Sequence, residues 1–441
     1  MAHSTGASFN GCLFNGCPVQ CMRCSTTHRG RTNRRTVHTM EVGIGHNLRG
    51  DGDMLGAVSS DLPGGFLRTR VESLIGRIDA GRTSVQAIGP ELRGRVATRL
   101  TTAFHLRRAE AARLLAEVDG GAAPGKLWPK LFRLQLELDE LFEETLSLVE
   151  GAALRAARLD EGYCKLADAL LDEIGGKTPV AWDSFTVLGT EEIFARSSRV
   201  IRVRFPGRSF WDLPVVAHEY GHFAGPAVTV DGGVRTVHPL EDLLDGALKE
   251  SPGANWPWLH ELFADAFASY VLGPAYGLAC AFDRFDPAEA RDGTETHPAP
   301  NVRMATIGAA LDRLNQDHRY DYALHTMRRV WKSSTAEAGT GDEAGLNEPF
   351  GSWLDTCMDF MSGHLPEARY DGWWTAQELG HHFDGDEQGV PEHHGSGPDG
   401  VAYRMCDIVN AGWLARIDAA DARARLGIAR QARKLAEVSV S

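Results

Sequence analysis

From Val215 to Ala224 the chain reads Val-Val-Ala-His-Glu-Tyr-Gly-His-Phe-Ala, with one carboxylate and two histidines set among uncharged residues. A stretch this apolar belongs inside a folded protein, yet its three polar side chains are costly to bury without partners. On a helix, residues four apart share a face, so His218 and His222 direct their imidazoles to one point with Glu219 beside them. The order His-Glu-x-x-His is that of two zinc ligands and a neighbouring general base. A five-residue match alone is a weak signal, and its flanks strengthen it. Asp212 stands where a helix N-cap is expected, with Pro214 in the first turn, where its missing donor costs little. The preceding Val200–Phe205 segment alternates as a strand does and is expected to line a cleft.

One zinc per chain in a catalytic setting needs a third protein ligand and leaves a fourth position for water. Downstream lies His260-Glu261-Leu262-Phe263-Ala264-Asp265, opening a second apolar helix expected near 257–272. Glu261 and Asp265 share one face of it, and two buried carboxylates need a reason. Glu261 as zinc ligand, with Asp265 accepting the outer N–H of a zinc histidine, supplies one. His260 and Asp265 are the other third-ligand options, His260 pointing about 100° away from Glu261 around the helix. In such a site Glu219 takes a proton from the attacking water and returns it to the leaving amine.

The pairing of H-E-x-x-H with a later E-x-x-x-D resembles the gluzincin metallopeptidases. Glu261 to Asp265 is similar to the E-x-x-A-D of the CAAX-processing and heat-shock membrane zinc peptidases and their soluble minigluzincin relatives. Those often carry a later His-Pro followed by Arg, matched here by His297-Pro298 and Arg303. The likeness spans residues 198–310 and departs in lacking transmembrane helices. It implies a zincin-like core: a small sheet, an HExxH helix beneath it and a second helix supplying Glu261. It also implies hydrolysis of a peptide bond in a peptide or protein substrate. An oxyanion donor is needed near the zinc. Arg303, His297, Tyr270 and Tyr276 are the available types; the resemblance favours His297 and Arg303, with a helix-bracing role as the alternative for Arg303. The rival from another class is a catalytically silent zinc-binding regulatory or interaction protein, against which Glu219 argues, since metal binding alone does not need it.

The rest of the chain reads as predominantly helical, so the expected class is α+β. Expected divisions are a leader and linker over 1–65, a helical hairpin region over 66–176, the zincin-like core over 177–310 and a C-terminal helical subdomain over 311–441. Leu131, Leu134, Leu138, Leu141, Thr145, Leu148 and Ala152 alternate spacings of three and four, a packing seam or a partner-binding arm. Short strands are expected at Phe185–Leu188 and Val200–Phe205, and flexible loops at 333–349 and 384–400. Ala266–Phe282 is uncharged but broken by Gly273-Pro274, so it reads as a buried helix and turn and not as a membrane span. Trp373, Trp374 and Trp413 read as C-terminal core.

A net charge of −13 disfavours nucleic acid and anionic membrane as partners. The first 40 residues hold five Arg and no Asp, Glu or Lys. They include Cys12, Cys17, Cys21 and Cys24, which suit a disordered or non-native leader, or a metal or iron–sulfur site. Without an apolar signal segment the expected location is cytoplasmic. Cys164, Cys280, Cys357 and Cys406 read as reduced and buried. His381-His382 and His393-His394 flank an acidic loop as a conceivable second metal site. The oligomeric state is not encoded in any of these features.

Overall fold

The seam residues fold into one buried stripe. A computed structural model describes residues 65–87, 94–180, 182–205, 209–231, 236–250, 255–341, 348–383 and 403–440. In it, Leu131, Leu134, Leu138, Leu141, Thr145, Leu148 and Ala152 are all buried along α3 (Pro124–Ala156). They face α1 (Gly65–Ala87) and α2 (Arg95–Asp119), so three helices pack together and the seam is internal. The leader with its four cysteines, the 41–64 segment, the 384–400 loop and His393-His394 lie outside the described residues.

After α4 (Tyr163–Gly176) come three short strands, β1 (Thr186–Gly189), β2 (Ile193–Ala195) and β3 (Val200–Arg204). Their order is β1-β3-β2, with β1 parallel and β2 antiparallel to β3. Strand alternation sends successive side chains to opposite faces. Val187 and Val200 therefore join the core of α1–α3, while Leu188, Ile201 and Val203 join the larger core that contains α4 and everything downstream. The sheet is thus a partition between two apolar cores. Val200–Phe205 contains the central strand, β3, with β1 and β2 at the two edges, and both β2 and β3 contact the helix that carries the polar residues.

The helix α5 (Val215–Ala227) carries the His-Glu-x-x-His residues. Asp212 does not cap it. It ends a short 3-10 turn (Phe210–Asp212), where its carboxylate accepts the Ser209 amide N–H, and Pro214 stands at the head of α5. A two-stranded ribbon, β4 (Val230–Asp231) and β5 (Thr236–Val237), and α6 (Pro239–Glu250) lead to α7 (Trp256–Leu272). Asn255 starts α7 by accepting the Trp258 amide N–H at 2.8 Å, and Pro257 occupies the first turn.

The helices α5 and α7 cross very closely. A Cβ built on Gly221 would lie 3.1 Å from the Ala264 Cα, and one on Gly225 would run into the Phe263 ring. The small residues at the crossing let the polar edges of the two helices meet.

The uncharged 266–282 segment is buried up to Ala281, with Phe282 half-buried; it ends α7 and forms α8 (Pro274–Ala279), with a π-turn from Cys280. There follow α9 (Pro300–Leu314), α10 (Asp321–Glu337), α11 (Glu348–His364), α12 (Trp373–Gly380), α13 (Met405–Asp418) and α14 (Ala422–Ser439). The expected loop at 333–349 is corrected at both ends, since α10 continues to Glu337 and α11 begins at Glu348. Trp373 and Trp413 are core, but Trp374 is 61% exposed: its neighbour takes the inward face of α12. The four described cysteines are free and buried. The chain is mostly helical with a small sheet, as expected, and among the described residues no helix is long and apolar enough to cross a membrane.

Candidate metal centre

Because α5 and α7 approach so closely, His218, His222 and Glu261 converge. His218 Nε2 lies 3.2 Å from His222 Nε2 and 3.3 Å from Glu261 Oε2, and His222 Nε2 lies 3.2 Å from Glu261 Oε1. These three residues form a group that could hold a metal ion. Glu261 is 2% exposed, and its Oε2 is buried with no hydrogen-bond partner. A buried carboxylate left so, with each of its oxygens facing an imidazole nitrogen, fits a cation between them.

Around this group a second layer is bonded. Asp265 Oδ1 lies 3.0 Å from His218 Nδ1, the contact expected of an acceptor for the outer imidazole N–H. Tyr276 donates its hydroxyl to the same oxygen. Arg303, on α9, forks onto Asp265 with bonds of 2.8 Å from Nε and 2.7 Å from Nη2, and its guanidinium lies over the Phe285 ring. Its Nη1 is 3.5 Å from Glu261 Oε2. Arg303 thus holds Asp265, and its Nη2 also lies 3.4 Å from His218 Nε2. His297 Nε2 lies 3.4 Å from Glu261 Oε1, while its Nδ1 meets the Thr296 hydroxyl. Of the two residues considered for an oxyanion, His297 is the more open.

Tyr276, also considered for that role, is enclosed against Asp265 and His218. Tyr270 faces Ser362 and Arg369 instead. His260 does not join the donor group. The turn of α7 carries it to the far side of His222, where the two Nδ1 atoms are 2.8 Å apart.

Glu219 accepts the backbone N–H of Phe194 at 2.9 Å. That amide belongs to edge strand β2, which has a ladder partner on one side only. The sequence sets Glu219 next to His218 along the helix but gives no sign of this partner, because a backbone amide carries no residue signature. Phe285 beneath Arg303 and Thr296 beside His297 were missed for a related reason: they are ordinary residues made relevant by position alone.

The charges explain why a cation belongs here. Burial opposes charge on Glu261, but His222 and His297 outweigh it and hold its carboxyl well below the usual range. Burial likewise opposes Asp265, and Arg303 with His218 brings it down to about 2. Two buried carboxylates thus face one guanidinium. Burial pulls His218 down, yet Asp265 and Glu261 prevail and raise it to about 9. Burial, then the neighbouring His222, keeps His260 well below the imidazole range.

The fold and the donor set define a predominantly helical α+β protein with a buried His-His-Glu group able to hold a metal ion. Compared with known families, curated proteins and solved structures, the chain matches no family model, no curated protein and no solved structure.

Proposed function

We propose that this chain is a zinc-dependent metallopeptidase of the gluzincin type, hydrolysing peptide bonds with one zinc held by His218, His222 and Glu261. The observation that carries the reading is the spacing of the donors. A tetrahedral zinc with ligands at about 2.0–2.1 Å keeps its donor atoms about 3.3 Å apart. Here the two imidazole nitrogens are 3.2 Å apart, and each meets its own Glu261 oxygen, His218 Nε2 with Oε2 at 3.3 Å and His222 Nε2 with Oε1 at 3.2 Å. Zinc, when bound, supplies Lewis-acid activation of water and of the scissile carbonyl.

The protein's own residues do the remainder. Glu219 is the base: its carboxylate sits one residue from His218, takes a proton from water and passes it to the leaving nitrogen. The Phe194 N–H orients that carboxylate. Asp265, braced by Arg303, holds His218 in the tautomer with Nε2 free. His297 offers a hydrogen bond to charge developing on the carbonyl oxygen. The small sheet with α5 against it, and α7 packed on α5, supports a zincin-like core.

One observation favours the rival reading of a catalytically silent zinc protein. His218 and Glu219 are only 4% and 7% exposed, so substrate must displace something to reach them. Glu219→Gln separates the two. The substitution keeps size and hydrogen bonding but removes the base. Zinc stoichiometry and melting temperature are expected to stay at wild-type values while cleavage of a peptide library falls about 10²–10⁴-fold. A wild type that binds zinc and cuts nothing in the library makes the silent reading the better one, and a variant cutting at wild-type rate removes Glu219 from the mechanism.

A further inference from the structure

The two histidines of the donor group are held from behind in unlike ways. His218 has a carboxylate behind it, Asp265, neutralised in turn by Arg303. His222 has a second imidazole. Its Nδ1 lies 2.8 Å from Nδ1 of His260, with the ring planes 7° apart, so the two rings meet edge to edge. His260 is 1% exposed, and Trp256 stacks on it at 4.8 Å between centroids.

Two neutral imidazoles sharing one contact must supply one donor and one acceptor. If His222 Nδ1 accepts, its Nε2 carries the proton and points it into the donor group. If His222 Nδ1 donates, Nε2 presents a lone pair there, which a metal requires. Packing alone does not call for an imidazole at 260. A phenyl ring would stack on Trp256 equally well and would not leave His260 Nε2 buried without a hydrogen-bond partner, as it is now. The stranded nitrogen is the cost of having Nδ1 where it is.

We propose that His260 is a positioning residue: a neutral acceptor at Nδ1 that holds His222 in the tautomer whose Nε2 faces the metal. The inference rests on reading the His218, His222 and Glu261 group as a metal centre. A carboxylate acceptor raises ligand basicity more than a neutral one. The neutral acceptor therefore leaves His222 the weaker donor of the pair, and a carboxylate in its place strengthens it.

The test is zinc affinity of the full chain, measured by competition with a chromogenic chelator, for wild type, His260→Phe, His260→Asn and His260→Asp. Asn and Asp carry an oxygen at the branch point where His carries Nδ1, so both restore an acceptor; Phe does not. Loss of such an outer partner typically costs about 10–100-fold in affinity, the loss expected for Phe, with Asn within about threefold of wild type and Asp equal or tighter. A role in packing alone gives the reverse order, Phe holding affinity while Asn and Asp lose it, and that result overturns the proposal. Ring-nitrogen NMR of zinc-loaded wild type gives a second reading that does not depend on any variant folding. The proton is expected on His222 Nδ1 and absent from His260 Nδ1; the opposite placement also overturns it. Wild type that takes up no zinc defeats the metal reading itself, a result distinct from zinc-binding protein indifferent to residue 260.

Discussion

Between Asp265 and Glu261, His218 meets enough negative charge to overcome burial, and its imidazole is carried from the ordinary 6.5 up to about 9. The sign has a consequence for metal-free protein. A histidine raised on folding contributes stability that is complete below its unfolded value and disappears as pH climbs through the folded one. Chelated protein is therefore expected to lose stability between pH 6.5 and about 9. A divalent metal replaces the proton, so zinc affinity rises with pH over the same window. Each zinc bound at neutral pH should release about one proton from His218. Calorimetric titration in buffers of different ionisation heat counts it, and a count of zero shows that His218 is already neutral before metal arrives. Arg303 belongs to the same balance. Removing one partner of a buried, hydrogen-bonded ion pair typically costs about 3–5 kcal/mol, which is why Arg303 reads as the brace of Asp265 and not as a group free to meet substrate.

At the scale of elements, the site depends on the distance between α5 and α7. Residue types at Gly221 and Ala264 matter more than their modest side chains suggest. A Cβ on Gly221 meets the Ala264 Cα at 3.1 Å and the Phe267 ring at 3.1 Å, so a larger residue must push on backbone and on a buried aromatic. Gly221→Val is expected to separate the helices, costing about 1–3 kcal/mol as overpacking usually does. It is also expected to weaken zinc binding by at least about tenfold, since metal ligands tolerate only small displacements. Chelator competition alongside thermal melting checks both, and unchanged affinity would mean that the crossing does not set the ligand geometry. The edge strand β2 is the other element that matters. Its antiparallel pairing with β3 leaves the Phe194 amide pointing outward, and that amide is what Glu219 meets.

Over the whole molecule, the sheet divides the interior. One face serves α1–α3 through Val187 and Val200; the other serves the metal-centre side through Leu188, Ile201 and Val203. The contact between α3 and the sheet is tight at Gly151, where a Cβ would run into the Leu188 carbonyl oxygen. The carbonyl belongs to a strand paired with β3 and cannot easily retreat. Gly151→Val is expected to lower unfolding free energy by about 1–3 kcal/mol while leaving zinc affinity unchanged, because the donors lie across the sheet. Urea unfolding and zinc titration on the same preparation test this. A loss of zinc in step with stability would show that the three-helix layer also shapes the site.

His218, Glu219, His222, Glu261 and Asp265 could be read from the chain because each pair obeys helical periodicity within one element, and because charges in an apolar stretch need partners. The seam on α3 was readable on the same ground. What periodicity does not carry is how two elements sit together. The acceptor behind His222, the amide on Glu219 and the aromatic ring under Arg303 come from α7, β2 and the segment after α8, each brought in by packing. The same limit explains Asp212, whose side chain suits a helix cap but whose backbone position fell one turn early, and Trp374, whose apolar character could not say which side of α12 would face the core. Residue types and their local spacing decided which groups can bind a cation. The close crossing of α5 and α7, permitted by Gly221, Gly225 and Ala264, decided that those groups meet at one point, because only tertiary packing sets distances between residues far apart in the chain.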